Sequence, residues 1–483
     1  MKVKTISRLV LSVTIAGTWP ALAQNISTPV FEEILITGGR ERIERLPGSA
    51  HYIDSDQLAT FAYSDVQRIA REIPGVSIQL EDGYGLRPNI SIRGVTTERS
   101  SRITLLEDIV LIAPAPYAAS SAYYFPTAGR FAGFEVVKGP AAITQGPYTI
   151  GGALNMISTP IPRMAQGNLL VERAEDSTYR VHATYGGYNA DGFGFLVETH
   201  QWQSDGFQTI DRSNNDTGLD VKDYTVKLAW APQDSRHKME LKLQLAQQDS
   251  NQSYLGLTDA DFSADAYRRY GISDLDNINT EHEQVILRYE FNATENLRLS
   301  ATAYNNEHAR SWYKTEGLDL DGSTDADSLN RVGWGNIIND INQGNSRDGF
   351  TSDQLQSILD GTLDTPVGSI DVRANNREYF SRGVQFGLNL EGEIGASSHS
   401  LQAGVRLHRD EEDRLQYDSS YQQFNGALVL NDVGVLGAAG NRIQEAQALA
   451  VHVYDRIEWG NWLITPGLRY EDIELGRTRF NGG

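Results

Sequence analysis

The residue types that usually carry covalent chemistry are present in this chain, but never in a working array. Nine histidines are scattered over 483 residues and none stands four positions from another, so a His-x-x-x-His metal face is missing. Gly146 to Gly152 is glycine-rich yet lacks the Lys-Ser/Thr that completes a phosphate-cradling loop, and no Gly-x-Ser-x-Gly elbow occurs. There is no cysteine, which removes thiol catalysis, thiolate metal sites and disulfides together. Asp319-Leu320-Asp321-Gly322 with Asp325 and Asp327 hints at calcium, but glycine falls at the wrong position for an EF-hand, so a solvated acidic loop is expected. No catalytic residue, metal site or cofactor is expected. With 63 acidic against 42 basic residues the net charge is -21, which argues against nucleic acid, a partner that demands a basic face.

What remains is binding and passage, and the order of elements suggests how they are arranged. Lys2, Lys4 and Arg8, the apolar run Leu9 to Ala16 and Ala21-Leu22-Ala23 before Gln24 read as a secretory signal over residues 1–23. Polar residues follow, then an isolated β-prone run, Phe31 to Gly38. An isolated strand is either the first edge of the next domain or a segment that pairs with a partner's sheet. Ala50-His51-Tyr52-Ile53 predicts a short strand and Asp54 or Ser55 caps a helix, with Leu58, Phe61, Val66, Ile69 and Ala70 at helical spacing. The helix should end before Pro74-Gly75. From Arg87 to Pro160, short apolar runs cut by Gly and Pro read as brief strands joined by tight turns, a compact α/β unit.

After Pro162 the pattern has a period of two. Tyr224, Val226, Leu228 and Trp230 alternate with polar neighbours, as do Met239, Leu241, Leu243 and Leu245; Val285, Leu287, Tyr289 and Phe291; Val384, Phe386, Leu388 and Leu390. A soluble sandwich gives the same alternation. Three features favour a membrane barrel: strands of about ten residues, aromatics at strand ends (Trp230, Tyr289, Tyr470, Trp459, Trp462), and short turns opposed to long loops. The loops expected to be long are Asn251 to Glu281 and Arg310 to Asn376. No stretch is long and apolar enough to span as a helix, so an integral protein must use a closed barrel. Roughly eleven strands are countable before Phe480-Asn481-Gly482-Gly483, and an even, closed number is required, so a C-terminally truncated barrel is the expectation.

At this point the residues resemble a TonB-dependent outer-membrane receptor. Glu33-Ile34-Leu35-Ile36-Thr37 resembles the TonB box, the strand that pairs with TonB, and tips the reading of that run towards a partner. Ile73-Pro74-Gly75-Val76, Ile92-Arg93-Gly94, Val136-Val137-Lys138-Gly139-Pro140 and Gly151-Gly152-Ala153-Leu154-Asn155-Met156-Ile157-Ser158 resemble the plug hallmarks, in the family's order and spacing. Within the family, Arg99-Ser100-Ser101-Arg102, Pro114-Ala115-Pro116-Tyr117, Gly129-Arg130 and Tyr254 to Phe262 are most similar to ferric-citrate and ferric-siderophore receptors. Leu106-Glu107-Asp108-Ile109-Val110 departs from the family's Leu-Asp-Gly turn and implies an altered turn.

The resemblance implies a signal peptide (1–23), a periplasmic arm with the TonB box (24–46), an α/β plug (47–162) and part of an antiparallel transmembrane β-barrel (163–483), about half of the family's 22 strands. It implies active uptake across the outer membrane of a Gram-negative bacterium. The expected partners are TonB with its inner-membrane energising complex, outer-membrane lipid, the barrel-assembly machinery, and a ferric chelate such as ferric citrate. Haem, cobalamin or an oligosaccharide are the other ligands; a passive porin or adhesin is the rival, but neither needs an arm and a plug. An anionic chelate needs cations that bind carboxylates bidentately, so Arg99 and Arg102, with Tyr117 nearby, are the implied ligand residues. Arg93, Gly94, Lys138, Gly139, Gly151 and Gly152 are assigned to plug structure.

Overall fold

The computed structural model describes residues 9–15, 36, 43, 46, 48–320 and 331–480. Within the plug, β2 (Ser49–Ile53) leads into α1 (Ser55–Phe61), capped by an Asp54–Gln57 capping box. The single helix expected here is two. Ala62 turns left-handed (φ 47°), and Asp65 caps a second helix, α2 (Val66–Ala70), by accepting from the Gln67 N–H. The hairpin β3 (Val76–Gln79) and β4 (Asn89–Ile92) follows, then β5 (Thr104–Glu107), β6 (Val110–Leu111), β7 (Phe131–Lys138) and β8 (Ala153–Ser158). The plug sheet has the order β2-β7-β8-β5-β6, with β5 parallel to β8. Ile53, Val66, Ile69, Ile73, Ile90, Ile92, Phe134, Leu154 and Met156 close the core beneath it.

Around the plug's flank curves one antiparallel sheet. Its strands are β9 (Gln166–Arg173), β10 (Tyr179–Tyr188), β11 (Phe193–Ser204), β13 (Leu219–Trp230), β14 (His237–Ser250), β16 (Asn277–Asn292), β17 (Leu297–Leu318), β19 (Ile370–Ile394), β20 (Ser397–Phe424) and β22 (Gly440–Trp459), with β23 (Trp462–Ile464) and β24 (Gly467–Arg479) both on β22. Leu9–Ile15 (β1), assigned above to the signal, lies antiparallel along β9; its β-branched residues suit a strand as well as a signal's apolar core. The small strands β12 (Thr209–Ile210), β15 (Arg268–Arg269), β18 (Val332–Gly333) and β21 (Ala427–Asp432) belong to the loops.

Burial in this sheet is inverted relative to a soluble sandwich. Phe195, Leu228, Leu241, Leu287, Ala303, Val384, Leu407 and Leu449 are directly paired from strand to strand and form one outward row. Of these, Phe195, Leu228, Leu287, Leu407 and Leu449 are exposed. The alternate residues, among them Glu198, His200, Asp223, Lys227, Glu240, Lys242, Gln244 and Arg288, face inward and are buried. An apolar outside around a polar inside is what lipid selects. Phe193, Trp230, Met239 and Tyr289 pair across neighbouring strands near the short-turn end, the expected aromatic edge of that belt.

The strands outrun the expected ten residues, and β20 reaches 28. The loops shrink accordingly to 251–276 and 319–369. On the upper parts of β17 and β19 the outward residues, such as Ser311 and Asn376, are polar while Trp312, Leu318 and Val372 stay buried inside, so the apolar outer row is lost and these stretches read as loop. Those two loops carry α3 (Asp259–Ala264), α4 (Trp334–Gln343) and α5 (Ser352–Leu359). Tyr270, Ile272, Leu318, Trp334, Ile337, Leu355 and Ile358 give them a core of their own. Arg268 binds Asp211, Asp261 and Asp360, so one guanidinium ties three loops together. The 321–330 part of the acidic stretch lies outside the described residues.

If the outward row faces lipid, Leu287→Arg should cost roughly 2–4 kcal/mol of stability in phospholipid bilayers. Denaturant unfolding in vesicles measures this; a soluble-type fold would tolerate the exposed arginine.

Candidate functional site

Two clusters join plug to barrel wall, and they differ in kind. The first is a buried ion network. Arg130 is fully buried; its Nη1 and Nη2 donate to the Glu107 carboxylate at 2.6 and 3.1 Å, and its Nε donates to Asp223 of β13 at 2.9 Å. Lys242 of β14 pairs with Glu107 and, at 3.0 Å, with Asp108. Arg288 of β16 donates to the Asp108 carbonyl at 2.7 Å and lies 3.3 Å from Glu240. Asp108 also accepts from the Ser158 N–H at 3.0 Å and hydroxyl at 2.6 Å. Burial alone would raise both plug acids, but Arg130 and Lys242 outweigh it for Glu107, and Lys242, Lys227 and Arg288 for Asp108, so both sit below the usual carboxylate range.

The turn that carries these acids is the one that departed from the Leu-Asp-Gly pattern. Asp108 (φ 50°) and Ile109 (φ 65°) are both left-handed, so the β5–β6 hairpin keeps a primed turn without glycine. A β-branched residue at positive φ is strained and persists only where its surroundings hold it. Here Asn155 accepts the Ile109 N–H at 3.0 Å.

The second cluster is a cationic, aromatic basin near the long-loop end. Asp82 accepts the N–H groups of Tyr84, Leu86 and Arg87, folding the glycine-rich turn so that Arg87 lies over Trp312 at 5.2 Å. Arg99 pairs with Glu81 and lies 5.4 Å from both Tyr123 and Trp312. From the wall, Arg310 of β17 stacks on Tyr123 at 3.8 Å, and Arg377 of β19 reaches the same ring at 5.5 Å. Arg377, Arg414 and Arg442 share Glu412, at 2.7, 3.5 and 3.5 Å. Nη1 and Nη2 of both Arg87 and Arg310 are buried with no hydrogen-bond partner among the described residues. Burial would raise the Tyr123 phenol, but Arg310, Arg377 and Arg99 pull it below its ordinary value, a sign of the positive field there. Such a basin fits an anion with several carboxylate or phenolate oxygens.

Of the implied ligand residues, only Arg99 is in the basin. Arg102 is exposed and Tyr117 is buried elsewhere: its N–H donates to Asp410 at 2.7 Å, its hydroxyl to Glu471 at 3.3 Å, and burial pushes the phenol up to about 12. Arg102 and Tyr117 share none of the partners of Arg99. Arg310 and Trp312 lie where the sequence predicts the start of a long loop; β17 continues through both, and two residues apart on a strand they share a face.

The plug hallmarks tie the domain to itself. The Arg93 N–H donates to the Gly75 carbonyl at 2.9 Å, and Lys138 Nζ donates to the Pro74 carbonyl at 2.5 Å, so three motifs meet. Arg93, Gly94 and Gly139 all have positive φ. A Cβ on Gly152 would stand 2.4 Å from the Val137 carbonyl, and the Gly151 N–H donates to Arg102. In the arm, the Ile36 N–H donates to Glu135 at 3.0 Å and its side chain packs on the plug, whereas Glu33, Ile34, Leu35 and Thr37 lie outside the described residues.

Residues 42–153 match the family described as TonB-dependent Receptor Plug Domain. The ferric citrate transporter FecA in its unliganded form aligns with a TM-score of 0.71 at 20% identity, over 94% of this chain and 60% of that one. The siderophore receptor PiuA from Acinetobacter baumannii aligns at 0.65 and 17% identity, over 89% and 58%. The vitamin B12 transporter BtuB of Photobacterium profundum is 22% identical over 191 residues, 36% of this chain and 31% of that protein. This chain therefore spans less than two thirds of these relatives. It carries a TonB-dependent receptor plug and has the plug-and-barrel fold of those receptors.

Arg130→Met should destabilise the plug against the wall by roughly 3–5 kcal/mol, because it strands two buried carboxylates. Denaturant midpoints in detergent measure this. Glu107 and Asp108 are lowered in the fold, so their contribution is complete above their unfolded values of about 4. It is lost as pH falls through the lowered folded values, and Lys242→Met should flatten that acid limb of the unfolding profile.

Proposed function

We propose that this chain belongs to an energy-coupled outer-membrane receptor that imports an anionic ferric chelate, ferric citrate being the first to test. One observation carries the choice of ligand: Arg87, Arg99, Arg310 and Arg377 gather around Tyr123 and Trp312, and Arg414 and Arg442 join them through Glu412, in a protein of net charge -21. Nearby acids, Glu81, Asp82 and Glu412, leave guanidinium donors over. The likeness to a ferric citrate transporter points the same way, while a neutral corrinoid would leave those charges uncompensated.

The chelate enters between the basin and the loop cap built on Tyr270, Trp334 and Leu355. Its oxygens take the free donors of Arg87 and Arg310, and aromatic faces cover its apolar parts. Occupation of the basin acts on the Phe31 to Gly38 arm, which TonB captures by strand addition. Energy from the inner membrane, delivered through that strand, then displaces the plug. The iron is cargo and no covalent bond is made or broken. The cell surface of a Gram-negative bacterium is the site of action, and lipid contacts the outward row.

Cells expressing the receptor and supplied with ferric citrate, haem, cobalamin or an oligosaccharide under iron limitation distinguish the ligands. Arg310→Ala with Arg377→Ala should weaken surface binding of radiolabelled ferric citrate roughly tenfold or more, the effect of losing a charged hydrogen bond. Full-strength binding by that variant rejects the basin. Ile34→Pro or Ile36→Pro should leave surface binding unchanged and abolish uptake, since proline removes a ladder donor; unaltered uptake rejects the coupling role of the arm.

A further inference from the structure

The sequence offers no motif in which a nucleophile stands beside a base, but the fold assembles such a group outside the basin. Ser397 and His399 lie two residues apart on β20, so their side chains share a face, and Asp455 comes from the paired strand β22. His399 Nδ1 is 2.7 Å from an Asp455 carboxylate oxygen, and His399 Nε2 is 3.0 Å from the Ser397 hydroxyl. The carboxylate only accepts, so in the neutral ring Nδ1 carries the hydrogen and Nε2 turns its lone pair towards Ser397. The hydroxyl hydrogen has two acceptors in reach, that nitrogen and the Ile394 carbonyl at 2.8 Å. Serine to histidine to aspartate in this order is the geometry of an activated nucleophile. The His399–Asp455 pair alone would tie β20 to β22, and the serine adds nothing to that link.

The group stands on the outward face, at the lower edge of the apolar row. The outward residues of β20 run from Leu407 through Leu401 to His399 and Ser397, and Leu401 is the direct partner of Asp455. The short-turn end of such a barrel is the periplasmic end. Trp459 is the cross-strand partner of Ser397 and Trp462 that of Trp459, and both are exposed, as is Ile394. Tryptophan marks the membrane–water interface, the depth at which the ester groups of phospholipids lie. His399 and Asp455 are 19 and 20% exposed, sheltered from bulk water yet open to a lipid. Ile394 and Ser397 are joined by a two-residue turn, Gly395-Ala396, with Gly395 at φ 64°. Neither turn N–H makes a hydrogen bond among the described residues, which leaves two backbone donors next to Ser397 in the chain for a developing oxyanion.

We propose that Ser397, His399 and Asp455 form a hydrolytic site for the acyl esters of phospholipids in the periplasmic leaflet. Ser397 Oγ bonds to the ester carbonyl carbon as its proton passes to His399 Nε2. The bond from that carbon to the glycerol oxygen then breaks, and the oxygen leaves with the proton as a lysophospholipid. Water next gives a proton to the same nitrogen and its oxygen to the acyl carbon. The bond to Ser397 breaks, the proton returns to Oγ, and a fatty acid is released. Asp455 touches no substrate; it is a positioning residue that holds the orientation and tautomer of the ring. Trp459 and Trp462 offer the acyl chain an apolar approach. This activity is separate from transport and does not rest on the function proposed above.

The test uses the purified protein in vesicles of phosphatidylethanolamine and phosphatidylglycerol, with a long-chain alkyl fluorophosphonate as the serine-directed probe. Mass spectrometry follows both the adduct and the lipid products, and circular dichroism checks that each variant is folded. Ser397 should carry the adduct, whereas Ser398, on the opposite face of the strand, should not. Ser397→Ala should abolish the adduct and the release of fatty acid. His399→Gln should slow hydrolysis on the order of a hundredfold, the weight of one general base. Asp455→Asn should lower kcat roughly tenfold or more with KM unchanged, and Asp455→Glu should recover part of it, a split that loss of a strand tie does not produce. No adduct at Ser397 in the folded protein overturns the site, as does labelling of Ser398 at the same rate. Fatty acid release by Ser397→Ala at the unsubstituted rate overturns it as well, and an unchanged kcat in Asp455→Asn overturns the positioning role.

Discussion

The fully buried Arg130 between Glu107 and Asp223 is the contact on which the rest of the structure depends. A guanidinium removed from water loses a large hydration energy, and only a complete ring of partners offsets it. Glu107 comes from the plug and Asp223 from the wall, so neither domain satisfies Arg130 alone. Lys242 and Arg288 extend the same demand to Asp108 and the hairpin behind it. Plug and barrel wall are thus mutually required, and their relative position is set by charge pairing together with apolar contacts such as Val110 on Ile286 and Tyr304.

That requirement explains the inverted burial of the sheet. The row from Phe195 to Leu449 faces outward, the arrangement that lipid favours, while Lys227, Lys242, Gln244 and Arg288 face inward, where a polar plug meets them. Periodicity alone could not separate this from a sandwich, since both alternate with a period of two. The side that is buried makes the difference, and that is a property of what lies on each face. The upper strands illustrate the same point: outward residues of β17 and β19 such as Ser311 and Asn376 are polar while Trp312 and Val372 stay buried inside, so the ladder continues without an apolar outer row.

The ligand region shows how a site escapes linear reading. Arg99 stood out through its motif, yet its neighbours Arg310, Arg377, Arg414 and Arg442 come from wall strands hundreds of residues away. Arg102, close to it in sequence, is exposed, and Tyr117 turns to Asp410 and Glu471 on the wall. The wall also distributes its partners unevenly. Ion pairs gather around Glu107 and Asp108, while the side chains of His282 and Gln284 on β16 find no hydrogen-bond partner among the described residues.

By itself the sequence determined the strand-rich class, the short-strand unit between Arg87 and Pro160, the glycines at Gly139 and Gly152, and an apolar row on one face of the long strands. Each follows from local sterics or from a period of two, information carried within a few residues. It did not determine that α1 and α2 are separate, how far the wall strands extend, or which arginines converge. Those depend on Asp65 competing for a new helix start, on polar outward residues continuing the ladder past the apolar row, and on register between strands far apart in the chain. Only the folded sheet brings Arg310 to Tyr123 and Lys242 to Glu107, because the cost of burying charge is offset by partners that the tertiary structure alone selects.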